Sequence, residues 1–316
     1  MKTKTRKVLS FDIGGSKILA GIVDEKGRIL ASRKQLFEQP TQKKVESAII
    51  NLGDDLLADP SWKETPNEEI CAIGASIPGL ADSAKGLWVY APFSKISDFQ
   101  IADFLKNRFG KPAFIENDIN LCAVGERRFG HGKDVDSFFW QTVSTGCGGG
   151  FFLNGKLYRG SSNSAAETGH IKVVDNGAEC PCGGKGCLEA YASAPGIVRQ
   201  YCEKTGRTEK ISALEISELA RQGDLTALEI FDNEGLYLAK VVGAVVNTLN
   251  IPLVVIGGGV SASFDLFYPA IQKYLPNYLF MNANPELKIL PTALGYEATL
   301  ISAAAYALYG AEGTEL

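Results

Sequence analysis

Short apolar runs, broken by glycine pairs and separated by stretches of helical period, set the plan of this chain. Val8-Leu9-Ser10-Phe11-Asp12-Ile13, Ile18 to Val23 and Arg28 to Gln35 read as strands. Gly14-Gly15-Ser16-Lys17 and Asp24 to Gly27 join them, so the chain opens on a β-meander. Thr41 to Leu57 shifts to period 3.6, with Val45, Ile49, Leu52 and Leu56 on one face and Asp59-Pro60 as its stop. Ile70 to Ile77 is a buried strand ended by Pro78-Gly79, and Leu87 to Tyr90 a short one. Ile101 to Phe109 is a helix stopped by Gly110, and Lys111 to Ile115 a strand that runs into Glu116-Asn117-Asp118-Ile119-Asn120 and an apolar helix.

The opening plan then returns. Ser137 to Val143 is a strand, Ser144-Thr145-Gly146-Cys147-Gly148-Gly149-Gly150 a glycine-rich turn, and Phe151 to Leu153 a strand. Asn154-Gly155 is a favoured two-residue hairpin turn, with Lys156 to Tyr158 as the return strand. Two such units imply two halves of like topology facing each other across a cleft, with a nucleotide's phosphates between the glycine turns. Each turn read alone is simply a turn. Helices follow over Ala194 to Glu203, Ser212 to Gln222 and Leu225 to Leu249, then a buried strand over Leu253 to Ile256 before Gly257-Gly258-Gly259. Phe264 to Phe280 reads as a helix broken near Pro269, Leu287 to Leu290 as the last strand and Tyr296 to Tyr309 as the last helix.

Composition narrows the class without naming it. The 316 residues suffice for two domains with real cores, and 45% hydrophobic with 22% charged residues is ordinary for a soluble globular chain. A net charge of −4 gives no footprint for nucleic acid. The basic start (Lys2, Lys4, Arg6, Lys7) leads into a strand, not an apolar signal region, and no apolar stretch reaches membrane-spanning length. The expectation is a cytoplasmic protein with reduced thiols.

Candidate chemistry concentrates between Glu167 and Glu189. Glu167-Thr168-Gly169-His170 and Cys180-Pro181-Cys182-Gly183-Gly184-Lys185-Gly186-Cys187-Leu188-Glu189 hold one of only two histidines and three of seven cysteines. One His and three Cys complete a tetrahedral set for zinc with no open position, so His170, Cys180, Cys182 and Cys187 would form a structural knuckle. The plainer readings are a disulfide, or free thiols beside a core histidine. A pinned loop would aim Glu167 and Glu189. Cys71, Cys122, Cys147 and Cys202 read as ordinary buried thiols. Asp118 stands where a strand ends and a helix begins, the place of ligand sites in open α/β sheets, although a helix cap would also account for it. Asp12, beside its glycine pair, could hold a metal ion through water. Gly257-Gly258-Gly259-Val260-Ser261-Ala262 formally fits a dinucleotide fingerprint. The next strand ends in Pro291 without the acid such a site wants, so close approach of a base or ribose to the glycines is the better reading.

Together these motifs resemble the ROK family of sugar kinases and repressors, within the actin/hexokinase-like superfamily. The resemblance is carried by Asp12-Ile13-Gly14-Gly15-Ser16-Lys17, Ile77-Pro78-Gly79, Glu116 to Asn120, Thr145 to Gly150, Glu167-x-Gly169-His170 and the Cys180 to Glu189 segment. It implies an α/β fold of two actin-like (ribonuclease H-like) domains. Residues 1–117, completed by 297–316, would form the smaller, and 118–296 the larger with the zinc loop. ATP and sugar would lie between them.

The resemblance also implies roles. Asp118 matches the catalytic base, and Gly79, Asn117, Asp118, Glu167, His170 and Glu189 match sugar-contacting positions. Asp12, Gly14, Gly15, Ser16, Lys17, Thr145 and Gly146 match the phosphate and magnesium side, and Gly257, Gly258 and Gly259 the adenosine contact. Zinc, magnesium and ATP are therefore expected, with a homodimer as the usual assembly.

Three positions depart from the family pattern: Ser16 for Thr, Ser144 for Gly, and Phe93 in Ala91-Pro92-Phe93-Ser94, where glucokinase-like members carry a sugar-contacting Asn. Phe cannot make that hydrogen bond, which widens the expected sugar from glucose to fructose, allose, N-acetylhexosamines or β-glucosides. A sugar-responsive repressor is the competing function. Asp12 lies too near the start for a DNA-binding domain to precede it, so a kinase is expected. The sequence leaves ATP and polyphosphate open as donors.

Overall fold

In the computed structural model the described residues are 5–38, 40–64, 68–91, 96–281, 284–295, 297–314 and 316. They form an α/β fold with mixed sheets that separates into two compact units. The first holds Met1–Asp134, Gly155–Ala165 and Ala293–Leu316, and the second Val135–Asn154 and Ala166–Thr292.

The first unit is built on β1 (Lys7–Ile13), β2 (Lys17–Asp24), β3 (Ile29–Leu36), β4 (Ala72–Ile77) and β8 (Ala113–Asn117) in the order β3-β2-β1-β4-β8. β1 is antiparallel to β2 and parallel to β4, and β4 is parallel to β8. A small antiparallel sheet of β5 (Leu80–Asp82), β6 (Leu87–Ala91) and β7 (Ile96–Phe99) lies between β4 and β8 in the chain. Of these three, the sequence pattern marks only β6, because β5 and β7 are too short to show a period.

One core cluster joins the sheet to α1 (Gln42–Ala58) and α2 (Ile101–Phe109) through Val45, Ile49, Leu56, Ile101 and Leu105. Thr41 caps α1 and Gly110, at φ 68°, ends α2. A second cluster seats α9 (Ala298–Ala311) against β1 and β4 through Leu300, Ala304, Ala307 and Leu308. The approach is close: a Cβ at Gly74 would come within 2.1 Å of the Ala303 carbonyl oxygen. The helix after β8, α3 (Asp118–Phe129), packs on α9 and groups with the first unit instead of opening the second.

The second unit repeats the plan. β9 (Phe138–Val143) is antiparallel to β10 (Cys147–Leu153) and parallel to β12 (Leu253–Gly257), which is parallel to β13 (Lys288–Pro291). The relation of β10, β9, β12 and β13 is thus that of β2, β1, β4 and β8. Asn154 and Gly155, at φ 54° and 77°, turn the chain into β11 (Lys156–Tyr158), as the I′ hairpin signal predicts.

Helices α4 (Glu189–Ala192), α5 (Ala194–Thr205), α6 (Ala213–Arg221), α7 (Leu225–Leu249) and α8 (Phe264–Tyr274) build the core of this unit around Ile197, Ile216, Phe231, Leu238 and Phe267. Two expectations change. Gly148 to Gly150 are not part of a turn: β10 begins at Cys147 and the glycines lie buried within it. A Cβ at Gly149 would come 2.4 Å from the Phe139 ring, so tight sheet packing explains that residue. Pro269 does not break its helix. α8 runs through it, held by buried Phe267, Ala270 and Ile271, and gives way to a 3-10 turn at Leu275–Asn277.

Candidate active site and metal centre

In the first unit the expected residues gather at the carboxyl ends of parallel strands. Asp12, the last residue but one of β1, pairs with Ser76 of β4, and Asn117 ends β8 opposite Ile77. The Gly14 to Lys17 turn closes with the Gly14 N–H donating to the Lys17 carbonyl at 2.9 Å, and leaves Gly15 and Ser16 exposed.

Asn117 organises the other side. Its Oδ1 accepts from the Ile119 and Asn120 N–H groups, capping α3, while its Nδ2 donates to the Gly79 carbonyl at 2.9 Å. Gly79 sits at φ 83°, and a Cβ there would come 2.3 Å from the Tyr90 carbonyl oxygen, so only glycine fits. Beneath lies buried Glu116, which accepts from the Asn117 N–H and from Arg159 Nε at 2.7 Å. Nothing local in the sequence marks Glu116 and Arg159 as a pair, since they stand 43 residues apart.

Asp118 follows the cap and accepts from the Ile119 N–H through Oδ1 at 3.0 Å. Burial, then the charge of Asp12, pushes its carboxyl up to about 6. Burial pushes Asp12 up to about 6 as well, against the pull of Lys17. Two carboxyls with raised pKa values at the carboxyl ends of strands in one sheet are the electrostatic mark of a functional site.

In the second unit the turn after β9 is short. The Ser144 N–H donates to the Gly146 carbonyl at 2.9 Å, and Thr145 stands exposed at the tip. Glu189, at the start of α4, accepts from the Cys147 N–H at 3.0 Å, and the Ser144 carbonyl accepts from the Ala194 N–H at 2.8 Å. Gly257 to Gly259 end the neighbouring parallel strand β12, so both glycine turns open at the same edge of the sheet. A Cβ at Gly259 would find nothing nearer than Ser144 Oγ at 3.6 Å, which leaves that backbone open to a flat ligand.

The cysteine loop comes together as expected. The ligand atoms of His170, Cys180, Cys182 and Cys187 all lie within 4.8 Å of one another. Cys180 Sγ is 3.7 Å from His170 Nδ1, and Cys182 Sγ is 3.7 Å from Cys187 Sγ. All seven cysteines are free, which removes the disulfide reading. Those separations suit the edges of a tetrahedron with bonds of about 2.0–2.3 Å, so the donor set fits zinc. Burial pushes the Cys180 thiol up to about 12, while the Gly184 N–H draws the exposed Cys182 thiol down.

With Nδ1 turned to the sulfurs, His170 keeps Nε2 on the side of Glu167, 3.9 Å from its Oε2. Glu189 reaches from this loop to the glycine turn, with Oε1 3.9 Å from Cys180 Sγ and Oε2 on the Cys147 N–H. Lys172 Nζ lies 2.9 Å from Cys187 Sγ, a contact that sequence spacing did not reveal. Deep in the same unit, Glu234 of α7 is buried with neither carboxyl oxygen hydrogen-bonded, and burial lifts its pKa far up. Burial pushes the nearby Cys147 thiol well up, and Cys147 is buried as the sequence suggested. Phe93 lies outside the described residues.

A family model described as "ROK family" matches residues 8–309. The chain belongs to the ROK family. It is 31% identical over 311 residues to "Glucokinase" of Thermotoga maritima, covering 94% of this chain and 96% of that protein. Among solved structures it resembles a ROK family glucokinase from Streptomyces griseus in complex with glucose and AMPPNP. The identity is 32%, the TM-score 0.81, and the coverage 96% of this chain and 100% of that one. It also resembles a ROK family transcriptional regulator, a homologue of E. coli MLC protein, with 25% identity, a TM-score of 0.88, and coverage of 97% and 79%. Among the described residues no helix is long and apolar enough to cross a membrane.

Proposed function

We propose that this chain, a sugar kinase by its kinship with the glucokinases, transfers the γ-phosphoryl group of ATP to O6 of a hexose, with Asp118 as general base. The observation that carries the reading is Asp118 itself, a carboxyl held at the start of α3 with its pKa lifted to about 6. That value leaves it ionised at neutral pH yet basic enough to take a proton.

Phosphoryl transfer depends mainly on positioning and on neutralising charge, with little covalent work for the protein. Asp118 orients the attacking hydroxyl in line with the γ-phosphate and accepts its proton late. Asn117 spends one amide hydrogen on Gly79 and keeps the other for a sugar hydroxyl. Glu167, His170 Nε2 and Glu189 read further hydroxyls. Such groups select sharply, since a sugar lacking one hydroxyl leaves a buried polar group unpaired.

The backbone of Gly14 to Lys17 and of Ser144 to Gly146 faces the phosphates, and Gly257 to Gly259 face the adenosine. Magnesium, when bound on the Asp12 side, neutralises phosphate charge. Asp12 suits that role, because a carboxylate whose burial disfavours its charge gains from a cation. His170, Cys180, Cys182 and Cys187 would hold zinc with no open position, which would make the loop carrying Glu167 and Glu189 rigid without adding chemistry.

The likeness to the transcriptional regulator supports a second reading, a sugar-binding regulator without turnover. ADP release from Mg-ATP separates the two. The panel holds glucose, fructose, mannose, allose, N-acetylglucosamine, N-acetylmannosamine and cellobiose, with polyphosphate as a parallel donor. Turnover with one sugar supports the kinase and names its substrate. Sugar binding without turnover from either donor would replace it by the regulator.

A further inference from the structure

Lys172 has no part in the chemistry above, yet it is placed against the metal loop with some care. Its backbone pairs antiparallel with Cys187, which fixes the two residues side by side. Its ammonium lies 2.9 Å from Cys187 Sγ. Cys187 is 0% exposed, so this sulfur has no water of its own to draw on. Gly184 makes the room: a Cβ there would come 2.4 Å from Lys172 Nζ.

Charge bookkeeping gives the arrangement a purpose. Three thiolates and a neutral imidazole on a divalent ion leave the centre with one net negative charge. Glu167 and Glu189 stand at its two ends, and Glu189 Oε1 is 3.9 Å from Cys180 Sγ. One ammonium on a buried thiolate offsets that excess. Hydrogen bonds to a metal's ligands also hold those ligands in place, and their loss typically weakens binding about 10–100-fold. The plain alternative is a surface lysine whose end group happens to rest on a sulfur, a contact worth almost nothing. The buried acceptor, the paired backbone and the glycine opening together argue against it.

We infer that Lys172 is the charge partner of the metal centre: its ammonium donates to the Cys187 thiolate, slows loss of zinc and shields that sulfur from electrophiles. The inference rests on the zinc reading above. Its consequence is that the order of the loop carrying Glu167 and Glu189 depends on a residue that touches neither sugar nor nucleotide.

The test reads zinc, not turnover. Purified wild type, Lys172→Ala, Lys172→Arg and Gly184→Ala are assayed for bound zinc, for transfer of zinc to 4-(2-pyridylazo)resorcinol, and for the rate of cysteine alkylation. Lys172→Ala is expected to release zinc about 10-fold faster or more and to be alkylated faster. Lys172→Arg keeps a cation within reach and should stay near wild type. Gly184→Ala displaces the ammonium and should shift both rates in the direction of Lys172→Ala; adding it to Lys172→Ala should change nothing further.

Wild-type protein that binds no zinc overturns the zinc reading and this inference together. Wild-type protein with one zinc, and Lys172→Ala with wild-type release and alkylation rates, overturns the inference alone. Should Lys172→Ala fail to fold, Gly184→Ala decides in its place, and unchanged release there counts against the role.

Discussion

The two glycine-rich openings share one strand plan and differ in what stands behind them. In the first unit the link from β1 to β2 spans Gly14 to Lys17, and Gly15 and Ser16 face solvent. In the second the corresponding link is pinned at both ends, with only Thr145 exposed at its tip. The Ser144 carbonyl takes an N–H from Ala194, Glu189 takes one from Cys147, and Gly148 to Gly150 are buried in the strand that follows. A Cβ at Gly169 would come 2.0 Å from the Cys147 carbonyl oxygen, so the Thr168–His170 turn lies directly on that strand. The glycine turn of the first unit is thus exposed backbone, whereas the glycines of β10 admit neighbouring protein. The chemistry differs too: the first unit carries the raised carboxyls of Asp12 and Asp118 at its strand ends, and the second the cysteine cluster, with Glu234 buried in its core.

The comparison breaks most decisively at Asp118. If the first unit carries the reacting base and the second only reads and holds ligands, Asp118→Asn should lower kcat about 10²–10⁴-fold. The fold should survive, because an Asn Oδ1 can still accept from the Ile119 N–H. Sugar binding, followed by calorimetry, should persist. Unchanged kcat would remove Asp118 from the role of base.

The raised pKa values sharpen the same contrast through pH. Below about 6 Asp118 is protonated and cannot accept the hydroxyl proton, so kcat/KM for the sugar should fall about tenfold per pH unit on the acid side. The charge of Asp12 is part of what lifts Asp118, and Asp12→Asn should therefore carry the acid limb to lower pH, along with a lower plateau. A limb that stays in place would show that burial alone sets it. Stability of the unliganded protein has the opposite sign. Carboxyls whose folded pKa exceeds the unfolded value favour the fold while protonated, and that contribution is lost as pH rises through about 6. Asp118→Asn should accordingly raise the melting temperature more at pH 8 than at pH 5.

Much of this was legible in the chain, and the remainder was hidden for identifiable reasons. Periodicity marked the two meanders, α2 and α7 at their observed bounds, and the Asn154-Gly155 hairpin, because each rests on local pattern or turn chemistry. The ligand set His170, Cys180, Cys182 and Cys187 stood out because residue type and spacing suffice for a knuckle. What escaped depends on partners far apart in sequence. Arg159 on Glu116, Lys172 on Cys187 and the isolated carboxyl of Glu234 become visible only when packing brings distant residues together. The glycines at 148–150 were misread for a related reason: a glycine needed for close packing and one needed for a turn look identical in sequence.

That ambiguity yields the gentlest test of the comparison. Gly149→Ala would press a methyl group to within 2.4 Å of the Phe139 ring and 2.9 Å of Thr168 Oγ1, and should destabilise by about 1–3 kcal/mol as an overpacked core does. Gly14→Ala meets only the Lys17 carbonyl oxygen at 3.2 Å, and its backbone is not among the left-handed glycines. Its stability should stay within about 0.5 kcal/mol of wild type. Its cost should appear in KM for ATP, because the methyl would intrude where the backbone meets the phosphates. Denaturant melts and ATP titrations of the two variants check the pair. Equal melts would mean that the buried glycines of β10 yield as readily as the open turn, and the contrast between the two units would then lie in their ligands alone.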